Sequence, residues 1–121
     1  LKITFPIKLI SEANNFDHWR VKKKRKDAIK LIMRSKLSQL DPPELPCKIT
    51  ITRIAPRPLD IDNLWYTQKT CIDIICDFLI PGLKPGLADS SSQIELDCKQ
   101  RKGKAREYAV EVEISPCKAL K

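Results

Sequence analysis

Residues 47–55, Cys-Lys-Ile-Thr-Ile-Thr-Arg-Ile-Ala, alternate without a break between Pro46 on one side and Pro56 and Pro58 on the other. Successive side chains on a strand point to opposite faces, so Cys47, Ile49, Ile51 and Arg53 share one face and Lys48, Thr50, Thr52 and Ile54 the other. The β-branched residues suit a pleated surface, and the prolines, which cannot donate to a sheet, stop the run. Such a strand is half-buried, and the rest of the chain has to cover its apolar side.

The flanking segments supply that cover. Residues 2–10 also alternate, with Ile3, Phe5, Ile7 and Leu9 opposite Lys2, Thr4, Pro6 and Lys8; Pro6 marks an edge or a bulge. From Asn15 to Leu40 the period becomes helical, with Trp19, Ala28, Ile29, Ile32, Met33 and Leu37 set among the basic run Lys22-Lys23-Lys24-Arg25-Lys26 and Lys30, Arg34 and Lys36. Asp41-Pro42-Pro43-Glu44-Leu45-Pro46 is a stiff connector. A second helix is expected from Asp60 to Leu79, ended by Pro81-Gly82. Two strands follow, Gln93 to Gln100 with Ile94, Leu96 and Cys98 inward, and Arg106 to Ser115 with Tyr108, Val110, Val112 and Ile114 inward. Arg101-Lys102-Gly103-Lys104 between them reads as a basic hairpin turn. The order β-α-β-α-β-β, with strands that alternate, predicts a single α+β domain: a four-stranded mixed or antiparallel sheet covered by two helices on one face.

The chain has 121 residues, 42% of them apolar, which is enough for one core and excludes a disordered tail as its main character. Twenty-three Lys and Arg against fifteen Asp and Glu leave a net charge of +8, the balance of a protein that meets phosphates or simply of a basic surface. Cys47, Cys71, Cys76, Cys98 and Cys117 form no Cys-x-x-Cys pair and are odd in number. They read as reduced core or interface thiols in a cytoplasmic protein. No apolar run approaches a membrane span.

At about 100° per residue, Tyr66, Lys69, Asp73 and Asp77 fall within roughly 60° of Asp62, giving the second helix one polar seam. Leu64, Cys71, Ile74, Ile75 and Phe78 lie opposite, and Trp65, Ile72, Cys76 and Leu79 form a second apolar strip. A second strip predicts a second packing partner: a symmetric homodimer through Trp65, Ile72 and Leu79, or else cover by the first helix.

Asp60-Ile61-Asp62-Asn63 sets two carboxylates two residues apart in this basic chain. In an irregular turn such a pair can converge on Mg²⁺, a hard cation that takes oxygen ligands. The same residues also fit a helix N-cap with a solvated neighbour. A third carboxylate, Asp89, stands in the loop Gly86-Leu87-Ala88-Asp89-Ser90-Ser91-Ser92, which a strand-helix-strand path can return beside the first two.

Thr52 to Leu64, Gly86-Leu87-Ala88-Asp89-Ser90, Gln100 to Lys104 and Glu107 to Ile114, together with Asn14-Asn15 and His18-Trp19-Arg20, resemble the short phage and prophage members of the RusA family of Holliday junction resolvases. The resemblance covers nearly the whole chain. It implies a homodimeric, Mg²⁺-dependent endonuclease, with Mn²⁺ as the alternative ion, that nicks two opposed strands of a four-way DNA junction. It maps the metal-binding aspartates onto Asp60, Asp62 and Asp89. The family's Asp-Asp pair after the second helix is Ala88-Asp89 here, and its lysine offset on that helix falls on Tyr66 or, a turn later, on Lys69.

On that reading Asp60, Asp62 and Asp89 hold the metal and Lys69 steadies the phosphate; Lys69 equally fits an i,i+4 ion pair with Asp73. Arg57, Arg20, the run Lys22, Lys23, Lys24 and Arg25, and Arg101, Lys102 and Lys104 grip DNA by its backbone. His18 either contacts phosphate or water near the site or caps the first helix. The competing reading is a degenerate, non-catalytic nucleic-acid-binding dimer. A small RNA-binding module is a third, disfavoured because no aromatic pair sits on an exposed strand face.

Overall fold

A computed structural model describes residues 1–10, 18–80 and 94–116. The elements are β1 (Lys2–Phe5), α1 (Trp19–Leu37), β2 (Cys47–Ala55), α2 (Ile61–Leu79), β3 (Ile94–Lys102) and β4 (Ala109–Pro116). This is the expected α+β order. The strand at the N-terminus is shorter than its alternation, because Pro6 has no N–H for the ladder, yet Ile7 and Leu9 stay buried on the same side as Phe5.

The sheet is mixed, in the order β1-β4-β2-β3. β2 runs parallel to β3 and antiparallel to β4, and β1 pairs antiparallel with β4 at the opposite edge. Parallel neighbours need a crossover, and α2 provides it between β2 and β3. The apolar face carries Phe5, Cys47, Ile49, Ile51, Ile94, Val110, Val112 and Ile114, all buried in one core with Met33 and Leu37 of α1 and Cys71, Ile72, Ile75 and Cys76 of α2. Lys48, Thr50 and Thr52 on the other face of β2 are only half-buried, so the helices cover one face. Trp19, grouped with the apolar positions of the first helix, is exposed instead, as is Leu31.

Two expectations are corrected. Arg101 to Lys104 do not form a hairpin turn: Arg101 and Lys102 belong to β3, and β2 lies between β3 and β4. The link therefore crosses the end of β2. Gly103 N–H donates to the Ala55 carbonyl at 2.8 Å, and a tight turn follows in which Lys104 N–H donates to Glu107 Oε1 at 3.0 Å and Glu107 N–H to the Lys104 carbonyl at 3.0 Å. Arg106 takes the left-handed conformation, with φ of 63°. A Cβ on Gly103 would lie 2.7 Å from Glu107 Oε1 and 3.1 Å from both the Glu107 carbonyl oxygen and Ile54 Cγ2. Gly103→Ala is expected to cost about 1–2 kcal/mol through that overpacking, read as a lower urea midpoint.

The second correction concerns the strip Trp65, Ile72 and Leu79. Ile72 is fully buried and Leu79 nearly so, both within the chain's own core, while Trp65 stays 45% exposed. The strip is therefore no dimer face: α1 packs on α2, and both apolar strips of α2 merge into one core. Trp65 lies outside that core.

Cys47, Cys71 and Cys76 are buried free thiols, Cys98 is half-buried, and Cys117 lies outside the described residues. Burial pushes the thiol of Cys71 up to about 12 and that of Cys98 up to about 11, the latter helped by the charge of Asp97. At pH 8 roughly one Cys98 in a thousand is then thiolate. Iodoacetamide is expected to leave Cys71 and Cys98 unmodified in the native protein and to alkylate both in urea, as peptide mass mapping would show. No helix among the described residues is long and apolar enough to cross a membrane.

Candidate metal centre and nucleic-acid interface

Asp60 sits where β2 hands the chain to α2, and its extended backbone makes it the N-cap. Its Oδ1 accepts from Asn63 N–H at 2.9 Å and its Oδ2 from Asn63 Nδ2 at 3.2 Å. Asp62 follows in the first turn, where a carboxylate suits the positive end of the helix dipole. Both aspartates are exposed, and among the described residues the Asp62 carboxylate has no hydrogen-bond or ion-pair partner. The N-cap role is thus realised. It leaves room for a cation, since each carboxylate oxygen has a second lone pair to offer.

The turn that carries Asp60 is fastened from below. Near the end of the inward rows of β2 and β3 stand two polar residues, Arg53 and Gln100, which face each other in register. Arg53 is almost fully buried; its Nε donates to the Leu9 carbonyl at 3.2 Å and its Nη1 to the Arg57 carbonyl at 2.9 Å. Burial pulls its pKa below the usual arginine value, with Tyr108 opposing. Gln100 treats Leu59 as a strand partner would, accepting from its N–H at 2.8 Å and donating to its carbonyl at 2.6 Å. The segment Arg57 to Leu59 is therefore held at two points just before Asp60. Gln68, fully buried on α2, donates to the carbonyls of Ile51 and Lys99 at 3.4 and 3.2 Å and ties the helix to the same two strands.

Because Gln100 grips Leu59, the next residues of β3, Arg101 and Lys102, lie at the same end of the sheet as the Asp60 turn; both are exposed, as are Arg57 and Lys104. The other basic group lies across α2. Lys22, Lys23 and Arg25 of α1 face a cleft of about 890 Å³ whose opposite wall is Tyr66, Thr67, Lys69 and Thr70 of α2. Neither Asp60 nor Asp62 lines this cleft, but Tyr66 stands one turn along the polar seam from Asp62. Lys24 and Arg20 are exposed outside it, Arg20 with its guanidinium 5.4 Å from the Trp19 ring centroid.

Lys69 Nζ lies 3.0 Å from Asp73 Oδ1, so the i,i+4 pair forms. His18 caps α1, its Nδ1 accepting from Arg20 N–H at 3.1 Å. Asp89, expected as the third metal ligand, and Ala88 lie outside the described residues, as do Asn14 and Asn15. Among the described residues no group of three or more His, Cys, Asp or Glu side chains comes together to hold a metal.

Two carboxylates are nevertheless a sufficient protein contribution for Mg²⁺, which keeps several waters and takes its other ligands from substrate phosphates. The donor set is all oxygen, as a hard cation requires. No protein-family model matches this chain, and no curated protein matches it.

Arg53 and Gln100 are the positioning residues that sequence reasoning missed. A signal was present: each follows apolar residues in an inward row, and a polar side chain at such a position has to find a partner.

Proposed function

We propose that this protein is a Mg²⁺-dependent, structure-specific DNA endonuclease of the RusA type that resolves four-way junctions by paired nicks. The observation that carries the reading is the pair Asp60 and Asp62, exposed at the start of α2 on a turn clamped by Arg53 and Gln100, with cationic residues on either side. A divalent cation bound there supplies charge neutralisation at the scissile phosphate and a lowered pKa for an attacking water.

The chain's own groups do the rest. Asp60 and Asp62, with Asp89 in this reading, hold the cation. Arg57, Arg101, Lys102 and Lys104 draw the phosphate backbone to the end of the sheet that carries the aspartates, without reading sequence. Lys69, paired with Asp73 in the absence of DNA, exchanges that partner for a phosphate oxygen of the substrate. Hydrolysis with water as nucleophile leaves a 5′-phosphate and a 3′-hydroxyl. Paired nicking needs two sites, so the reading includes a two-fold homodimer, joined through a surface other than Ile72 and Leu79.

The test is a labelled synthetic four-way junction set against a linear duplex of the same sequence. With Mg²⁺ the native protein is expected to nick the junction in opposed strands, to leave the duplex intact, and to stop on addition of EDTA. Tight junction binding without any nicking would select the competing reading, a non-catalytic nucleic-acid-binding protein.

A further inference from the structure

The cleft between α1 and α2 has a composition that duplex DNA does not explain. Its floor is apolar: Ile7 and Leu9 are almost fully buried there, and Pro6, Ile10, Ile29 and Ile32 supply its accessible apolar surface. Its rim is cationic, with Lys8, Lys26 and Lys30 joining the basic residues already named. Among the described residues its one carboxylate, Asp27, is 3.8 Å from Lys23 Nζ. Tyr66 lines the same cleft and is 60% exposed.

A duplex presents phosphates and sugars outward and keeps its base faces stacked, so it can satisfy the rim but not the floor. An unpaired strand offers both: phosphates for the lysines, and base faces for an apolar surface and an aromatic ring. The volume, about 890 Å³, is that of a site for a ligand of small-molecule size, about 300–1,000 Å³, which fits splayed nucleotides and not a double helix.

We infer that this cleft binds an unpaired DNA strand, with Tyr66 stacking on a base and Lys26 and Lys30 meeting its phosphates. It thereby favours branched or locally melted DNA over continuous duplex. The inference rests on DNA being the partner, as proposed above, but not on cleavage. Tyr66 shares its seam with Asp62, so a strand seated in the cleft runs toward the aspartates.

The experiment is fluorescence anisotropy in EDTA, where nothing is cut, with labelled oligothymidylate, its blunt duplex with oligodeoxyadenylate, and oligouridylate. The single DNA strand is expected to bind more tightly than the duplex. Tyr66→Ala should weaken single-strand binding about 5- to 150-fold, the range for one base–aromatic stack, while Tyr66→Phe retains it. Lys26→Ala combined with Lys30→Ala should flatten the salt dependence by roughly 1.4 in the log–log slope, for two phosphates lost. Duplex binding as tight as single-strand binding, a preference for oligouridylate, or unchanged single-strand affinity in both the Tyr66→Ala and the lysine variants would each overturn the inference. Failure of the nuclease reading would appear instead in the junction-cleavage assay and leave these affinities untouched.

Discussion

Asp62→Asn is expected to lower the rate of Mg²⁺-dependent junction cleavage by about a thousandfold while junction binding in EDTA persists. A metal ion contributes several kcal/mol of charge stabilisation to the transition state, and each ~1.4 kcal/mol is a factor of ten. The substitution removes charge and not volume. Asp62 is exposed, so the main structural cost is at the helix dipole, about 0.3–1 kcal/mol. Asp60→Asn should behave alike, because asparagine caps a helix about as well as aspartate. Asp60→Ala separates the two roles of that residue: it loses cleavage and also the hydrogen bond from Asn63 N–H, at about 1 kcal/mol of stability. Undiminished cleavage by Asp62→Asn would remove Asp62 from the chemistry.

Arg53→Ala is expected to destabilise the fold by about 3 kcal/mol. Its guanidinium donates to the carbonyls of Leu9 and Arg57 from a buried position, and hydrogen bonds from a charged group contribute about 1.5–3 kcal/mol each. Removal takes the guanidinium donor from the Leu9 and Arg57 carbonyls and leaves a void near the end of β2. With a urea slope of about 1–3 kcal/mol/M for a small domain, the midpoint should fall by about 1 M or more. Arg53→Lys should not rescue it, because a single ammonium cannot reproduce the guanidinium fork that reaches two chain segments. Loss of the clamp on Arg57 should also loosen the turn before Asp60, so cleavage by still-folded Arg53→Ala should fall further than its Mg²⁺-independent DNA binding. A wild-type urea midpoint would show that the guanidinium contributes nothing net to stability.

The residues that made the fold legible were those whose period is local. Ile49 and Ile51 on β2, and Val110, Val112 and Ile114 on β4, alternate in the sequence and are buried as the alternation requires. The polar seam of α2 was legible for the same reason. What a local pattern does not carry is which strand lies beside which. Gly103 in a short basic link looks the same whether the chain turns back beside β3 or crosses the end of β2, and only the pairing of β2 with both neighbours decides it. The strip Trp65, Ile72 and Leu79 failed for a related reason: a helix wheel shows that a face is apolar, not whether α1 or a second subunit covers it. At the site, Asp60 and Asp62 stood out as two close carboxylates in a basic chain. The contacts that orient them, from Arg53 and Gln100, join residues 4 and 41 positions apart, and the second of these separations is beyond any local pattern.

The claim on which the rest depends is that a divalent cation sits at Asp60 and Asp62. Mn²⁺ added in small steps to isotopically labelled protein tests it by paramagnetic broadening of amide signals, without reference to activity. The backbone amides of Ile61, Asp62 and Asn63 are expected to broaden first in the native protein, and Asp62→Asn should abolish the effect. Uniform broadening across the surface, or first broadening at the carboxylates Glu111 and Glu113 on the far face of the sheet, would contradict the account.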